Sequence, residues 1–173
     1  PQETYDVNVT GTKNLLEALK LNDFCGVFLF IGSSDVYGVV SESHLPIIED
    51  MPLSPLNPYS QSKVKAEELC KKWSETEQKM RIVMTRSFSH IGPLQNERFV
   101  ISGFCKQVAM MSNEVQKPYL ETGNLDISRD FTDVRDIVYA YHLLLESGRD
   151  GEVYNVCSGR EVLLKDFLLK LKQ

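Results

Sequence analysis

Residues 24–34 read F-C-G-V-F-L-F-I-G-S-S, a short continuous apolar run that closes on glycine and two serines. A run of this length, rich in aromatic and β-branched side chains, predicts a strand rather than a helix, and its lack of polar alternation predicts burial on both faces. Strands covered on both faces are the mark of parallel sheets, whose crossover connections lay helices on either side. The flanking sequence agrees. Residues 7–21 (V-N-V-T-G-T-K-N-L-L-E-A-L-K-L) carry apolar residues at helical spacing, with Asn22-Asp23 as the stop. A long amphipathic helix rich in Lys and Glu is expected from Tyr59 to about Lys79, followed by a second strand, R-I-V-M-T-R-S-F, at 81–88. Residues 99–112 and 133–146 predict further helices, 152–157 alternate like a strand, and the last residues open another helix. Residues 39–58 hold four prolines and predict a surface loop; 113–128 predict irregular chain. Helices alternating with strands in this way predict an α/β fold with a parallel sheet.

Bulk properties narrow the function by exclusion. A net charge of -5 offers no basic face for nucleic acid. The longest apolar run, Val27 to Ile31, is far too short to span a bilayer, so no membrane role is expected. The opening shows no signal-peptide pattern. Cys25, Cys70, Cys105 and Cys157 lie scattered, without the clustering that disulfide frameworks or metal sites require, and His44, His90 and His142 are equally dispersed. Four reduced thiols, a cytoplasmic location and no metal are the expectation. The chain starts at Pro1 and stops within a helical pattern, which reads as an internal piece of a longer protein.

In parallel sheets, ligands sit beyond the carboxyl ends of the strands. That rule selects Ser33 and Ser34 after the first strand and Ser87 to Gly92 after the second. The segment N-P-Y-S-Q-S-K at 57–63 puts Tyr59 and Lys63 on one helical face. Alone, such a pair is more often an exposed helix pair. Beside a strand ending in G-S-S it gains chemistry. A tyrosine near its usual pKa of about 10 is a poor proton donor or acceptor at neutral pH, and a nearby ammonium is expected to lower that value. Ser33 would hydrogen-bond the same substrate oxygen. The set suits proton transfer to or from a carbonyl or alcohol while a hydride moves elsewhere.

These motifs, in this order, resemble the extended short-chain dehydrogenase/reductases that act on nucleotide sugars. N-V-T-G-T-K-N-L-L-E-A-L (8–19) is similar to that family's dimer-forming helix, G-S-S-D-V-Y-G (32–38) to its catalytic serine segment, and N-P-Y-S-Q-S-K to its tyrosine–lysine segment. R-D-F-T-D-V-R-D (129–136) and Y-N-V-C-S-G (154–159) complete the set. Within the family, S-F-S-H-I-G-P-L-Q and these last two segments look most like GDP-4-keto-6-deoxy-D-mannose reductases. The resemblance implies a Rossmann-like sheet, NAD(P)H as cofactor and a nucleotide-sugar substrate. It implies Ser33, Tyr59 and Lys63 as catalytic residues, with Tyr59 the general acid. Cofactor contacts would come from Tyr59, Lys63, Asn8 and Ser87; substrate contacts from Ser34, Asp35, Ser89, Arg98 and the diphosphate-binding Arg129. Residues 1–90 would keep part of a dinucleotide-binding domain, and 91–173 would interleave a substrate-binding segment with returning sheet elements. A homodimer would form through helices 7–21 and 59–79, with Leu69 and Trp73 packing across it.

The chain also departs from the pattern. Ser87 and Ser89 stand where proline and asparagine are usual, and Leu94 where glycine is common. The G-x-x-G-x-x-G turn that receives a pyrophosphate is not in the sequence, and the resemblance places it before Pro1. Other readings fit the same residues. Asp35, two after Ser33, stands where a 4,6-dehydratase keeps a carboxylate, although the favoured reading is that it simply bonds the loop backbone. A 4-epimerase shares the triad, and a non-catalytic binding member would need none of it.

Overall fold

The computed structural model describes residues 2–113, 115 and 118–171. Helix α1 (Gln2–Tyr5) passes through a π-helical turn (Asp6–Thr10) into α2 (Gly11–Leu21). Asn22 then stops the helix by donating its Nδ2 to the Ala18 carbonyl (2.8 Å), and Asp23 turns the chain in a left-handed conformation (φ 51°). Strand β1 (Val27–Ser33) leads through the tight turn Ser34–Tyr37 and the loop beyond it into α3 (Pro58–Thr76). Strands β2 (Arg81–Ser87) and β3 (Ser89–Ile91), helix α4 (Val100–Ser112), strand β4 (Ser128–Asp133) and helix α5 (Val134–Ser147) follow. Strands β5 (Val153–Val156) and β6 (Glu161–Leu163) and helix α6 (Leu164–Leu171) complete the chain. Of the stretch expected to be irregular, residues 114, 116 and 117 lie outside the described residues, as do 172 and 173 of the expected last helix.

Two compact units divide these elements, one built from the chain up to Phe88 with Val138–Val156, the other from Ser89–Ile137 and the chain from Cys157. In the first, β1, β2 and β5 form a parallel sheet in the order β1-β2-β5, with Val27 opposite Arg81 and Ser33 opposite Ser87. The central strand β2 is covered on both faces: Ile82, Val83 and Met84 are all fully buried. On β1 the expected two-faced burial is only partial. Phe30 joins a core with Leu16, Ala66, Cys70, Met80, Ile82 and Met84, whereas Ile31, pointing to the opposite face, stays 38% exposed. Burial within this core pushes the Cys70 thiol up to about 12. Gly32 is required where it stands, since a Cβ there would fall 2.1 Å from the Thr85 carbonyl oxygen. That close approach of β1 to β2 fixes where Ser33 emerges.

The second unit holds three short strands in the order β3-β4-β6, with β3 parallel to β4 and β6 antiparallel to it. Its core gathers Ile101, Phe104, Leu164 and Leu168, and Phe131 meets Phe167 with ring centroids 6.0 Å apart. Leu94 in this unit is fully exposed and sits in the left-handed region (φ 67°). For a leucine that conformation costs roughly 1–2 kcal/mol. Leu94→Gly relieves it but returns part to chain entropy, so denaturant unfolding should show a gain of about 0.5–1 kcal/mol.

Candidate active site

Helix α3 starts where its sequence dictates. Asn57 accepts a hydrogen bond at Oδ1 from the Ser60 backbone N–H (2.8 Å), and the Asn57 N–H donates to Ser60 Oγ (3.2 Å). With Pro58 at the first helical position, this reciprocal cap aims Tyr59 and Lys63 from the first turns of the helix. The cap also buries Ser60 and leaves Tyr59 on the open side, 43% exposed.

Ser33 lies at the carboxyl end of β1, near enough to the Tyr59 phenol for its hydroxyl to draw that group's pKa down. Its Oγ also accepts the backbone N–H of Asp35 (3.3 Å), which closes the turn after the strand. Lys63 donates its ammonium to the Ile31 carbonyl (2.9 Å) and lies 5.8 Å from the centroid of the Tyr59 ring and 5.3 Å from that of Phe30. The triad residues therefore converge, yet the expected tuning runs the other way. Desolvation pushes the Tyr59 phenol above its ordinary value; the nearby Ser33 hydroxyl lowers it, and the charges of Asp35 and of an ionised Tyr141 raise it. Lys63 is itself held below its ordinary value by desolvation. With its ammonium bonded to a backbone carbonyl, Lys63 does not offset the loss of water around the phenol.

The same unit places the other candidates. Asn8 sits in the π-helical turn and donates its Nδ2 to Ser62 Oγ (2.9 Å), while Ser62 donates to the Tyr59 carbonyl (2.7 Å). Its side chain thus braces the start of α3 from below. Ser34 and Asp35 lie in the turn after β1, with Asp35 exposed. Ser87, buried to 7%, shares a hydrogen bond with the Tyr141 hydroxyl (2.6 Å). Sequence reasoning missed Tyr141. Its signal was its place on the predicted helix 133–146, four residues after the apolar Ile137.

Also unforeseen was the polar cluster beneath the triad. Arg86 grips Glu67 with two hydrogen bonds (3.0 and 2.6 Å) and donates to the Tyr37 hydroxyl (2.9 Å), which donates to Asn155 Oδ1 (2.7 Å). Burial pulls the Arg86 pKa down, but the bonds to Glu67 and Tyr37 outweigh it and hold the guanidinium above its ordinary value. Glu67 was detectable: it follows Lys63 by four residues, as Lys63 follows Tyr59.

Ser89, Arg98 and Arg129 belong to the second unit. Ser89 opens β3 and is exposed; Arg98 is exposed beside Asn96, whose Oδ1 accepts its backbone N–H (3.0 Å); Arg129, also exposed, donates to the Ser128 carbonyl (2.9 Å). Leu69 and Trp73, expected at a dimer contact, are partly buried against this chain's own core, and Lys20 lies 5.5 Å from the Trp73 ring centroid. Four residues apart on α3, they face inward because the core under α2 needs them. Among the described residues, no group of three His, Cys, Asp or Glu side chains is placed to hold a metal ion, and no helix is long and apolar enough to cross a membrane.

Comparison with known proteins gives this geometry a setting. The chain is 48% identical over 168 residues to GDP-6-deoxy-D-mannose reductase of Pseudomonas aeruginosa, covering 97% of this chain and 55% of that one. The solved structure of RMD from Pseudomonas aeruginosa complexed with NADPH superimposes with a TM-score of 0.92 at 47% identity, covering 95% of this chain and 55% of that one. A putative epimerase from Burkholderia cenocepacia J2315 superimposes with a TM-score of 0.85 at 35% identity, over 99% of this chain and 54% of its own. The chain spans about half the length of the relatives it matches. The family described as GDP-mannose 4,6 dehydratase matches residues 1–171, so this chain belongs to that family, within the extended short-chain dehydrogenase/reductases of nucleotide sugars.

Proposed function

We propose that this chain supplies the catalytic half of an NAD(P)H-dependent reductase acting on a nucleotide-linked 4-keto-6-deoxy sugar, with GDP-4-keto-6-deoxymannose as substrate. The observation that carries the reading is a convergence at one strand's carboxyl end: Lys63 bonds the Ile31 carbonyl of β1, two residues before Ser33, and lies 5.8 Å from the centroid of the Tyr59 ring. A protonated phenol is a proton donor, the form that reduction of a ketone requires. Tyr59 gives its proton to the keto oxygen as that oxygen gains charge, and Ser33 orients the oxygen through a second hydrogen bond. A bound reduced nicotinamide would supply the hydride. The residues present fit its ribose end: Lys63 keeps ammonium N–H donors beyond the one given to Ile31, and Tyr59 is open beside it.

Asn8 supports this arrangement through α3, and Ser87 with Tyr141 offers hydroxyls for the cofactor's amide end. Ser34, Asp35, Ser89, Arg98 and Arg129 are assigned to the substrate, the arginines to its phosphates. Residues 1–90 carry the dinucleotide-binding part in this reading, and 91–173 alternate between substrate contacts and the returning sheet. Scattered thiols favour the cytoplasm, and the exposed Tyr5, Val7, Leu15 and Leu21 favour a homodimer through helices 7–21 and 59–79.

One observation favours a second reading. The Asp35 carboxylate is exposed and close enough to raise Tyr59, where a 4,6-dehydratase would use it to expel a hydroxyl. The two separate in one assay on the protein at its full natural length. Stoichiometric NAD(P)H consumption with GDP-4-keto-6-deoxymannose is the expected result. Loss of water from GDP-mannose with no net change in the nicotinamide would replace the reductase with the dehydratase.

A further inference from the structure

Arg86 is buried to 6% directly after the core segment of β2, yet the chemistry assigned above makes no use of it. Four stretches remote in sequence meet around its guanidinium. Glu67 brings helix α3 through a two-bond fork, and Tyr37 brings the turn that begins at Ser33. The Glu49 carbonyl accepts from Arg86 Nη1 (2.8 Å) and anchors the proline-rich loop. Asn155 brings β5: its Oδ1 accepts from Tyr37, its backbone N–H donates to Glu49 Oε1 (2.7 Å), and its Nδ2 donates to the Ile47 carbonyl (3.2 Å).

The placement of these bonds gives them a consequence for catalysis. Glu67 lies one turn beyond Lys63 and two beyond Tyr59 on the same helical face, so a fork fixed on Glu67 sets the rotation of that face. Tyr37 ends the short turn whose first residues are Ser33 and Ser34, so a bond fixed on Tyr37 sets where the Ser33 hydroxyl points. We propose that Arg86 and Tyr37 are positioning residues, which lock the Ser33 turn to the Tyr59–Lys63 face of α3 so that Ser33 and Tyr59 hold their mutual placement before substrate arrives. Stability alone is a weak reason for such a cluster, because a well-packed apolar pair generally stabilises a fold as well as a buried ion pair does. What an apolar pair lacks is direction: the planar guanidinium fixes angles as well as distances.

The kinetic part of the test rests on the reductase reading; the spectroscopic part does not. The protein at full natural length is compared with Tyr37→Phe, which removes one hydroxyl and keeps the ion pair, and with the double variant Arg86→Met/Glu67→Leu, which replaces the pair with apolar groups. For both, kcat should fall about 10- to 100-fold with KM unchanged within about twofold, the signature of a misplaced reacting group. NMR of isotope-labelled tyrosine, with Tyr59 assigned by Tyr59→Phe, should show its phenol titrating at higher pH as the Ser33 hydroxyl moves away from it. Unchanged kcat and unchanged Tyr59 titration in the folded variants would overturn the proposal, as would a rise in KM alone or a fall in kcat without a change in titration. If the double variant does not fold, Tyr37→Phe decides by itself. If the parent reduces no 4-keto sugar, the reductase reading fails and the titration alone decides the positioning role.

Discussion

Tyr59→Phe is expected to lower kcat for 4-keto sugar reduction by about 10²- to 10⁴-fold, the usual contribution of a positioned general acid. The ring packing survives the substitution, because only the phenolic hydroxyl is removed. Affinity for NADPH, read by fluorescence titration at full natural length, should therefore stay within about threefold of the parent, since Lys63 is untouched and Tyr59 contributes one hydrogen bond of modest net strength. Loss of activity with binding retained separates a catalytic phenol from a structural one. A comparable fall in both would mean the hydroxyl serves only the cofactor. The pH dependence has a fixed sign. A phenol raised above its ordinary value keeps its proton through neutral pH, so reductive kcat/KM of the parent should be flat there and fall only on the alkaline side, as Tyr59 ionises. Had Lys63 depressed the phenol, the fall would come earlier. Since nearly half of Tyr59 is exposed, solvent screens part of the effect and the limb stays close to the ordinary tyrosine range.

What the sequence revealed and what it hid follow from distance along the chain. The parallel sheet was readable because β1 holds the apolar run Val27–Ile31 and β2 the run Ile82–Met84, each bounded by clear breaks, and α3 announced itself through Asn57-Pro58 and its Lys/Glu face. Strands β3 and β6 are three residues long, too short for any period to register, and β4 hides inside a segment read for its arginine. The triad was readable because Tyr59 and Lys63 are one helical turn apart and Ser33 ends a recognisable strand. The partner of Lys63 was not, since its ammonium bonds a backbone carbonyl 32 residues away, and a carbonyl leaves no trace in side-chain patterns. The Arg86 cluster joins residues separated by 19, 49 and 118 positions. A charged residue inside a strand such as R-I-V-M-T-R-S is a visible oddity, but only the fold supplies its partners.

Glu67→Ala should destabilise the first unit by about 3–5 kcal/mol, because it strands a buried cation. Arg86 and Glu67 expose only 7% and 9% of their side chains, so water cannot take over the vacated fork. Arg86 would keep bonds to the Tyr37 hydroxyl and the Glu49 carbonyl, both neutral, and neither can balance its charge. Deprotonation is closed to it, since an arginine holds its proton at any working pH. Nor does the truncated methylene chain explain so large a loss: removing apolar atoms at a partly filled site costs about 1 kcal/mol for each buried methylene. Urea unfolding of parent and variant measures the difference directly. Glu67→Gln is the informative control, because it keeps the shape and one acceptor while removing the charge; it should fall between the two. A loss below about 1 kcal/mol in Glu67→Ala would mean that the cluster opens to water in solution. The same opening would free Tyr37, and with it the turn that aims Ser33 at Tyr59.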